Sequence, residues 1–481
     1  MVMGVGLYTV RIVLHQLGVV DYGIYNVVGG VVNMFSFLKG TLATSSQRYF
    51  SIELAKGDTK RLNQWFCLNI SVFTIFIVLF LIVAETIGLW FVNTQMTIPE
   101  DRMYAANAVY QFSIISFCVG FFSIPYNALI IAHERMSAFA YISIVESVLK
   151  LLIVYALSIS LWDKLIVYGF LMFFLSIGIT AIYIFYSLRH FEEAKVRLYW
   201  NRTEIKELLG FSGWHFLGTF AVVVRGQGIN ILLNLFFNPA INAARAIAFQ
   251  VYHAVSQLSS NFFTAVKPQI YKSYATGEYE ELYKLILRST MLCSFLVSIL
   301  IYPILANTNY ILGLWLKEVP GYAVVFTQLV LINGLIDATN GPTIAAALAT
   351  GRIRRYQEVV ASLILLNLPI SYIALKMGAE PTVTMVVSIV LSFITAIVRS
   401  SLLRSMIGLP FSRYLTMFAR LIVISLAIWG FIYCFLLNRA DTFIALLAWS
   451  VVIVSIVVVG YFGFVFERND VRAVYNYVRG K

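Results

Sequence analysis

Runs of about twenty apolar residues recur along this chain from its first residue to Phe466, and no polar connection between them exceeds about 25 residues. A bilayer core of about 30 Å is crossed by about 20 helical residues. Lipid offers no partner to a bare peptide group, so such a chain is confined to helices that satisfy their own backbones. Composition agrees. The chain is 60% hydrophobic and 12% charged with a mean hydropathy of +0.83, whereas soluble domains run near 45–50% apolar and about 25% charged. A soluble enzyme, a disordered chain and a fibrous one are excluded.

Apolar segments lie near 1–18, 22–43, 65–92, 108–132, 138–160, 165–187 and 208–236, then near 240–265, 286–306, 321–348, 357–376, 382–403, 415–437 and 442–466, fourteen in all. Charge placement supports the count. With both termini assigned to the cytoplasm, the inner connections 44–64, 133–137, 188–207, 266–288, 350–358 and 399–414 and the tail from 467 hold 24 Lys and Arg. The outer connections hold five: Arg102, Lys164, Lys317, Lys376 and Arg439. Such alternation is the positive-inside pattern. It accounts for most of the net charge of +12, and no basic face of the kind nucleic acids require is gathered anywhere.

The opening run lacks a basic lead and a small-residue cleavage site, so a removed signal peptide is not expected. At about 18 residues the first segment barely spans, and its helix is expected to be truncated. Cys67, Cys118, Cys293 and Cys434 sit singly in apolar stretches, without metal or redox spacing, and read as small core residues. The histidines make no i, i+4 metal pair. No phosphate loop, HExxH or nucleophile elbow is present, and no extramembrane loop is large enough to carry acid–base chemistry, so an enzyme is not expected.

Two sequence echoes point to an internal repeat. Gly57-Asp58 and Gly277-Glu278 lie 220 residues apart, each after an amphipathic stretch and before Leu62 or Leu282. Ala132-His133-Glu134-Arg135 is echoed by Ala349-Thr350-Gly351-Arg352, 217 residues on. Six helices is an even number, so two copies in one orientation are expected, with a cleft at their interface. The expected division is a first lobe over 1–187, a cytoplasmic linker over 188–207, a second lobe over 208–403, two further helices over 404–466 and a cytoplasmic tail over 467–481.

The run from Leu17-Gly18-Val19-Val20-Asp21-Tyr22-Gly23 to Gly29-Gly30 resembles the junction of the first two helices in bacterial polysaccharide flippases. Ser46-Gln47-Arg48-Tyr49-Phe50 followed by Gly57-Asp58 is similar to the same family, as is Ile124-Pro125-Tyr126-Asn127-Ala128 through Ala132-His133-Glu134-Arg135-Met136. These are the O-antigen and capsule flippases of the multidrug/oligosaccharidyl-lipid/polysaccharide (MOP) exporter superfamily. The resemblance covers essentially the whole chain, and family members usually carry about thirty residues before the point where this sequence begins. It implies an all-helical, MATE-like transporter in the bacterial inner membrane. Its substrate would be an undecaprenyl-pyrophosphate-linked oligosaccharide, moved by alternating access, with membrane lipids and the polysaccharide polymerase and chain-length machinery as partners. Two alternatives stand beside that reading, a MATE-type cation-coupled drug exporter and, from another class, a membrane glycosyltransferase or O-antigen polymerase.

Charges inside the spans then become informative, because each costs about 2.5–3.5 kcal/mol at mid-bilayer unless it faces a cavity or a partner. Glu146 and Lys150, four apart, read as an intrahelical pair. Arg11, Lys39, Arg225 and Arg245 are the candidates for an anionic head group, since guanidinium pairs bidentately with phosphate. The expected polar lining is Asn26 and Asn33 on one helix, a stripe of Gln227, Asn230 and Asn234, and Tyr252 with Ser256 on the face of Arg245. Arg225 falls off the Gln227 stripe. Asp337, beside Asn333 and Asn340 and before the helix-breaking Gly341-Pro342, is the candidate for Na⁺ or proton coupling or for a structural arginine partner; no other cofactor is expected.

Overall fold

The computed structural model describes residues 2–466 except 34, 95, 97, 198, 238, 317, 318 and 438, and leaves outside the described set the side chains of 2–8, 10, 11, 14, 19, 27, 30, 31, 33, 37 and 239. The expectations for the side chains of Arg11 and Asn33 and for the tail 467–481 therefore lie outside the described residues.

Every regular element among the described residues is helical. The chain divides into two compact units, residues 1–216 and residues from 217 onward. The first holds α1 (Val2–Asn33), α2 (Ser36–Lys56), α3 (Thr59–Val83), a π-helical turn (Ala84–Gly88), α4 (Leu89–Thr94), α5 (Met103–Ala132), α6 (Met136–Ile159) and α7 (Lys164–His190). The division falls within α8 (Arg202–Phe236), beyond the expected linker. The second unit continues with α9 (Pro239–Thr276), α10 (Tyr279–Ala306), α11 (Thr308–Trp315), α12 (Ala323–Asp337), α13 (Asn340–Ala349), α14 (Arg354–Leu365), α15 (Asn367–Lys376), α16 (Val383–Ile407), α17 (Phe411–Phe435) and α18 (Phe443–Phe464).

The fourteen expected segments map onto these helices, but ten helices among the described residues are long and apolar enough to cross a membrane, or eleven if the bent pair α12–α13 is one span. The count of fourteen is not confirmed. The shortfall is at 1–18, 22–43 and 240–265, on α1, α2 and α9. Of these α9 carries Arg245, Gln250, His253, Gln257 and Asn261, a polar load suited to a cavity wall and poorly suited to lipid.

Several connections expected as loops are helix. The amphipathic stretch of 44–56 completes α2, whose cap Gly57 takes a left-handed φ of 73° while Asp58 accepts from the Arg61 amide to start α3. Gly277, its echo, has φ 79°. The second pair behaves alike, Glu134 at φ 59° and Gly351 at φ 74°. Both echoes are thus turns of the same hand at matching places in the chain. Cys67, Cys118 and Cys293 are buried as expected, whereas Cys434 is exposed.

In the first unit α5 packs against α7, α2, α1 and α3. Its apolar surface extends around much of its circumference, and Phe117 and Phe121 join Phe73 and Phe80 in an aromatic cluster. Tyr110 donates to the Ala84 carbonyl at 2.8 Å, where the π-turn opens. Only glycine fits opposite it, because a Cβ at Gly88 would lie 2.1 Å from the Tyr110 hydroxyl. In the second unit α10 packs on α9, α12, α17 and α18, and Tyr461 shares its hydroxyl with Ser294 and Ser298 at 2.8 and 2.9 Å. Pro342 has no N–H for the Ala338 carbonyl, and α12 and α13 meet at that point with a bend of 42°. That is the break the Gly341-Pro342 pair predicts.

One guanidinium gathers an end of the first unit. Arg102 donates to both carboxylate oxygens of Asp21, at 2.8 and 2.5 Å, and to Asp163 at 2.5 and 3.3 Å. Asp21 follows the kink of α1 at Gly18, where φ is 77°, and Asp163 caps α7. Partial burial alone would raise the Asp163 carboxyl. The bonds from Arg102 and from the Ile166 and Leu165 amides outweigh it, so the carboxyl lies below its ordinary range. A depressed carboxyl contributes stability above the unfolded value of about 4 and loses it as pH falls through the folded one. Asp163→Asn should therefore lower the apparent melting temperature in detergent equally at pH 6 and pH 8, with the gap closing only below about pH 4. A gap that closes between pH 8 and pH 6 would refute the assignment.

Candidate functional site

Each unit contains a partly open cavity with charged and polar side chains in its lining. That of the second unit, about 880 Å³, is bounded by α8, α9, α12, α13 and α16. Its charged residues are Arg225, Arg245, Arg399 and Asp337. Small-molecule sites commonly occupy about 300–1,000 Å³.

Arg245 is 6% exposed. One terminal nitrogen donates to the side-chain oxygen of Asn230, its guanidinium lies 4.5 Å from the Phe249 ring centroid, and its Nε has no hydrogen-bond partner. Asn230 donates in turn to Gln227 Oε1 at 3.1 Å, and Asn242 donates to the Asn230 carbonyl at 3.0 Å. Arg399, 8% exposed, leaves both Nε and one terminal nitrogen without a partner. Buried guanidinium donors that meet nothing are costly, because desolvation is incurred and no bond is returned. Such donors are chemically suited to an anion.

Asp337 stands at the α12–α13 break. Asn333 and Asn340 donate to its two oxygens at 2.7 and 3.4 Å, and Tyr252 hydrogen-bonds to it. Tyr252 is held closely from behind, since a Cβ at Gly334 would lie 2.7 Å from its ring. The charges of Arg225 and Arg399 act on Asp337, but no ion pair within 4.0 Å joins it to either among the described residues. No group of three His, Cys, Asp or Glu side chains that could hold a metal occurs among the described residues.

The cavity of the first unit, about 510 Å³, contains Lys39, Glu146, Lys150, Asn26, Asn127 and Tyr183. Glu146 and Lys150 form the expected pair at 2.6 Å. Lys39 lies over the Phe117 ring at 4.1 Å.

The candidate residues thus divide. Arg225, Arg245, Gln227, Asn230, Tyr252 and Asp337 line the second unit's cavity, and Arg225 does so although it leaves the Gln227 stripe. Lys39 and Asn26 line that of the first. Asn234 and Ser256 line neither: Asn234 is exposed, and Ser256 donates to the His253 carbonyl at 3.2 Å. The sequence pattern puts Arg399 in an inner connection over 399–414, whereas α16 runs on to Ile407 and buries it. A signal for it existed. Thr384, Ser388, Ser392, Thr395 and Arg399 form one polar stripe at spacings of four, four, three and four.

No family model matches the sequence, and no curated protein matches it. Solved structures do. The chain is similar to an outward-facing multidrug resistance MATE family transporter of the MOP superfamily at 13% identity, over 85% of this chain and 93% of that one, with a TM-score of 0.73. A MOP superfamily transporter from Pyrococcus furiosus, described by the reverse polarity of its binding pocket, matches at 12% identity over 85% and 93% with a TM-score of 0.68. The MATE transporter ClbM in complex with Rb⁺ matches at 12% over 84% and 93% with a TM-score of 0.66. At such identities the likeness shows the fold, and the fold is MATE-like.

An anion that satisfies Arg399 should stabilise the folded chain by mass action, by about 2.7 kcal/mol at a hundred times its dissociation constant. Inorganic pyrophosphate should accordingly raise the apparent melting temperature of the purified protein and raise that of Arg399→Met much less. Equal shifts in both proteins would remove Arg399 from the site.

Proposed function

We propose that this chain is a flippase that carries an undecaprenyl-pyrophosphate-linked oligosaccharide, a repeat unit of O-antigen, capsule or exopolysaccharide, across the bacterial inner membrane. The observation that carries the reading is the cavity in which Arg225, Arg245 and Arg399 outnumber Asp337 and two of the arginines keep buried, unpartnered donors. Planar guanidinium forks suit the oxygens of a diphosphate, and the amides and hydroxyls beside them suit sugar hydroxyls. Unaided, such a head group would lose its hydration on entering hydrocarbon at prohibitive cost. A cavity that offers arginines, amides and hydroxyls in a MATE-like fold would lower that cost, and alternating access would present it to each leaflet in turn.

The motifs over 17–58 and 124–136 support the same family reading. So does the excess of basic residues in the expected inner connections, which orients both termini to the cytoplasm. A drug exporter for organic cations would need an acidic or neutral cavity, and the Pyrococcus furiosus structure is a precedent for reversed pocket polarity in this fold. Asp337 with Asn333 and Asn340 forms an oxygen-rich corner suited to Na⁺ or a proton, and we assign it to coupling. The polysaccharide polymerase and its chain-length machinery would receive the product.

Deletion of the gene should leave the lipid-linked repeat unit on the cytoplasmic leaflet and abolish the surface polysaccharide. Arg245→Ala and Arg399→Gln should each cut export roughly tenfold or more, the loss of one charge-assisted bond, at unchanged membrane levels. Surface polysaccharide unchanged by deletion, together with new sensitivity to cationic drugs, would refute the reading.

A further inference from the structure

The first unit's cavity differs in chemistry from that of the second. It contains no arginine, and its ammonium groups are unequal. Lys150 is paired with Glu146 at 2.6 Å, so those two charges cancel. Lys39 has no ion pair or hydrogen bond among the described residues, and is held by rings, 4.1 Å from the centroid of Phe117 and 5.6 Å from that of Phe121. Its place is also shaped by glycine, since a Cβ at Gly120 would lie 2.6 Å from Nζ. The cavity therefore carries a single uncompensated positive charge in a slot that only Gly120 leaves open. The second unit's cavity carries a surplus of two, three guanidiniums against one carboxylate.

The neutral groups around Lys39 are ordered as well. Ser123 donates to the Gly120 carbonyl, Ser176 to the Ser116 carbonyl and Thr180 to the Val119 carbonyl, at 2.8, 3.1 and 3.5 Å. With their protons committed to the helix backbone, these hydroxyls offer acceptors toward the cavity. Tyr183 is hydrogen-bonded to Asn127, and Phe112 adds an apolar ring face. Hydroxyl acceptors, one ammonium and an aromatic ring in one lining match a pyranose that presents hydroxyl donors, one carboxylate and a flat C–H face.

We propose that the first unit's cavity is a distinct binding site for a hexuronic acid residue, with the sugar carboxylate on Lys39. The inference deepens the flippase reading, on which it rests for its biological role: the carried repeat unit would contain an acidic sugar, read in one unit separately from the diphosphate held in the other. A monoanion matches a surplus of one, as a diphosphate matches arginine forks and a surplus of two. The compact ammonium of lysine suits a lone carboxylate as a point charge.

Saturation-transfer NMR on the purified full chain in detergent, with D-glucuronate, D-glucose and acetate as observed probes and inorganic pyrophosphate as a competitor, tests this. Glucuronate should give a binding signal that glucose and acetate lack at equal concentration and that saturating pyrophosphate leaves in place. Lys39→Met should weaken binding roughly tenfold or more, as expected for a lost charged hydrogen bond. Lys39→Arg should retain most of it. Gly120→Ala, which crowds the ammonium without removing it, should weaken it by a smaller factor. Glucuronate binding unchanged in Lys39→Met, glucose binding equal to glucuronate, or displacement of glucuronate by pyrophosphate would each overturn the proposal. Inorganic pyrophosphate that leaves the apparent melting temperature unchanged while glucuronate binds would instead count against the flippase reading and leave this site standing.

Discussion

Lipid cannot hydrogen-bond a peptide group, and the rest of this structure follows from that restriction. Each span must close its own backbone bonds, so the described chain is helix joined by short turns. The same solvent makes every charged side chain within the spans expensive. Polar chemistry is then placed where the helices screen it from lipid, as in the two cavities. α9 and α16 illustrate the bargain: each turns a polar stripe inward, and α9 does so at the cost of looking too polar to be a span.

Function is positioned by the places where helices fail. Pro342 deprives the Ala338 carbonyl of its donor, and the resulting break sets Asp337 and Asn340 at the ends of two helices where both face one cavity. Gly18 breaks α1 beside the Arg102 clasp. Tyr110 fills the notch that Gly88 leaves at the π-turn. None of these is a loop. They are defects inside otherwise continuous helices, which is how irregular backbone is tolerated at membrane depth, buried in protein or open to water.

Much of this was legible from the residues. Spans follow from apolar length, the α12–α13 break from Gly341-Pro342, the Glu146–Lys150 pair from its spacing, and the paired turns from the two echoes. Gln227 with Asn230, and Arg245 with Tyr252, reach one cavity because residues in phase on a helix share a face, whereas Arg225 reaches it from off the stripe. What was hidden depended on boundaries and on tertiary packing. Arg399 falls in the expected inner connection over 399–414 because the positive-inside pattern counts a basic residue at a span's end with the loop. Helix α16 instead runs two turns further, and nothing local distinguishes a snorkelling arginine from a buried one except the threonine and serine stripe that precedes it. The partition of Lys39 and Asn26 away from Arg245 needed the packing of whole helices, which periodicity does not encode. Asn234 and Ser256 show the opposite limit, since a residue in phase with a stripe can still lie beyond the cavity's end.

Arg245 and Arg399 also bear on how stability and recognition are divided in such a protein. A buried guanidinium with free donors weakens the fold, and replacement by apolar groups of similar size is often stabilising in proteins at large. Asp337 does not neutralise them, because its own oxygens are taken by Asn333, Asn340 and Tyr252. The acid is therefore kept from closing onto the arginines and filling the site itself. The partners of Asp337 thus make a carboxylate tolerable within the bundle while the arginine donors stay uncommitted. The first unit reaches the same result by a different route, cancelling Lys150 with Glu146 and holding Lys39 on aromatic rings, which stabilise a cation without consuming its hydrogen-bond donors. In both cavities a positive charge is held without exhausting its hydrogen-bond donors.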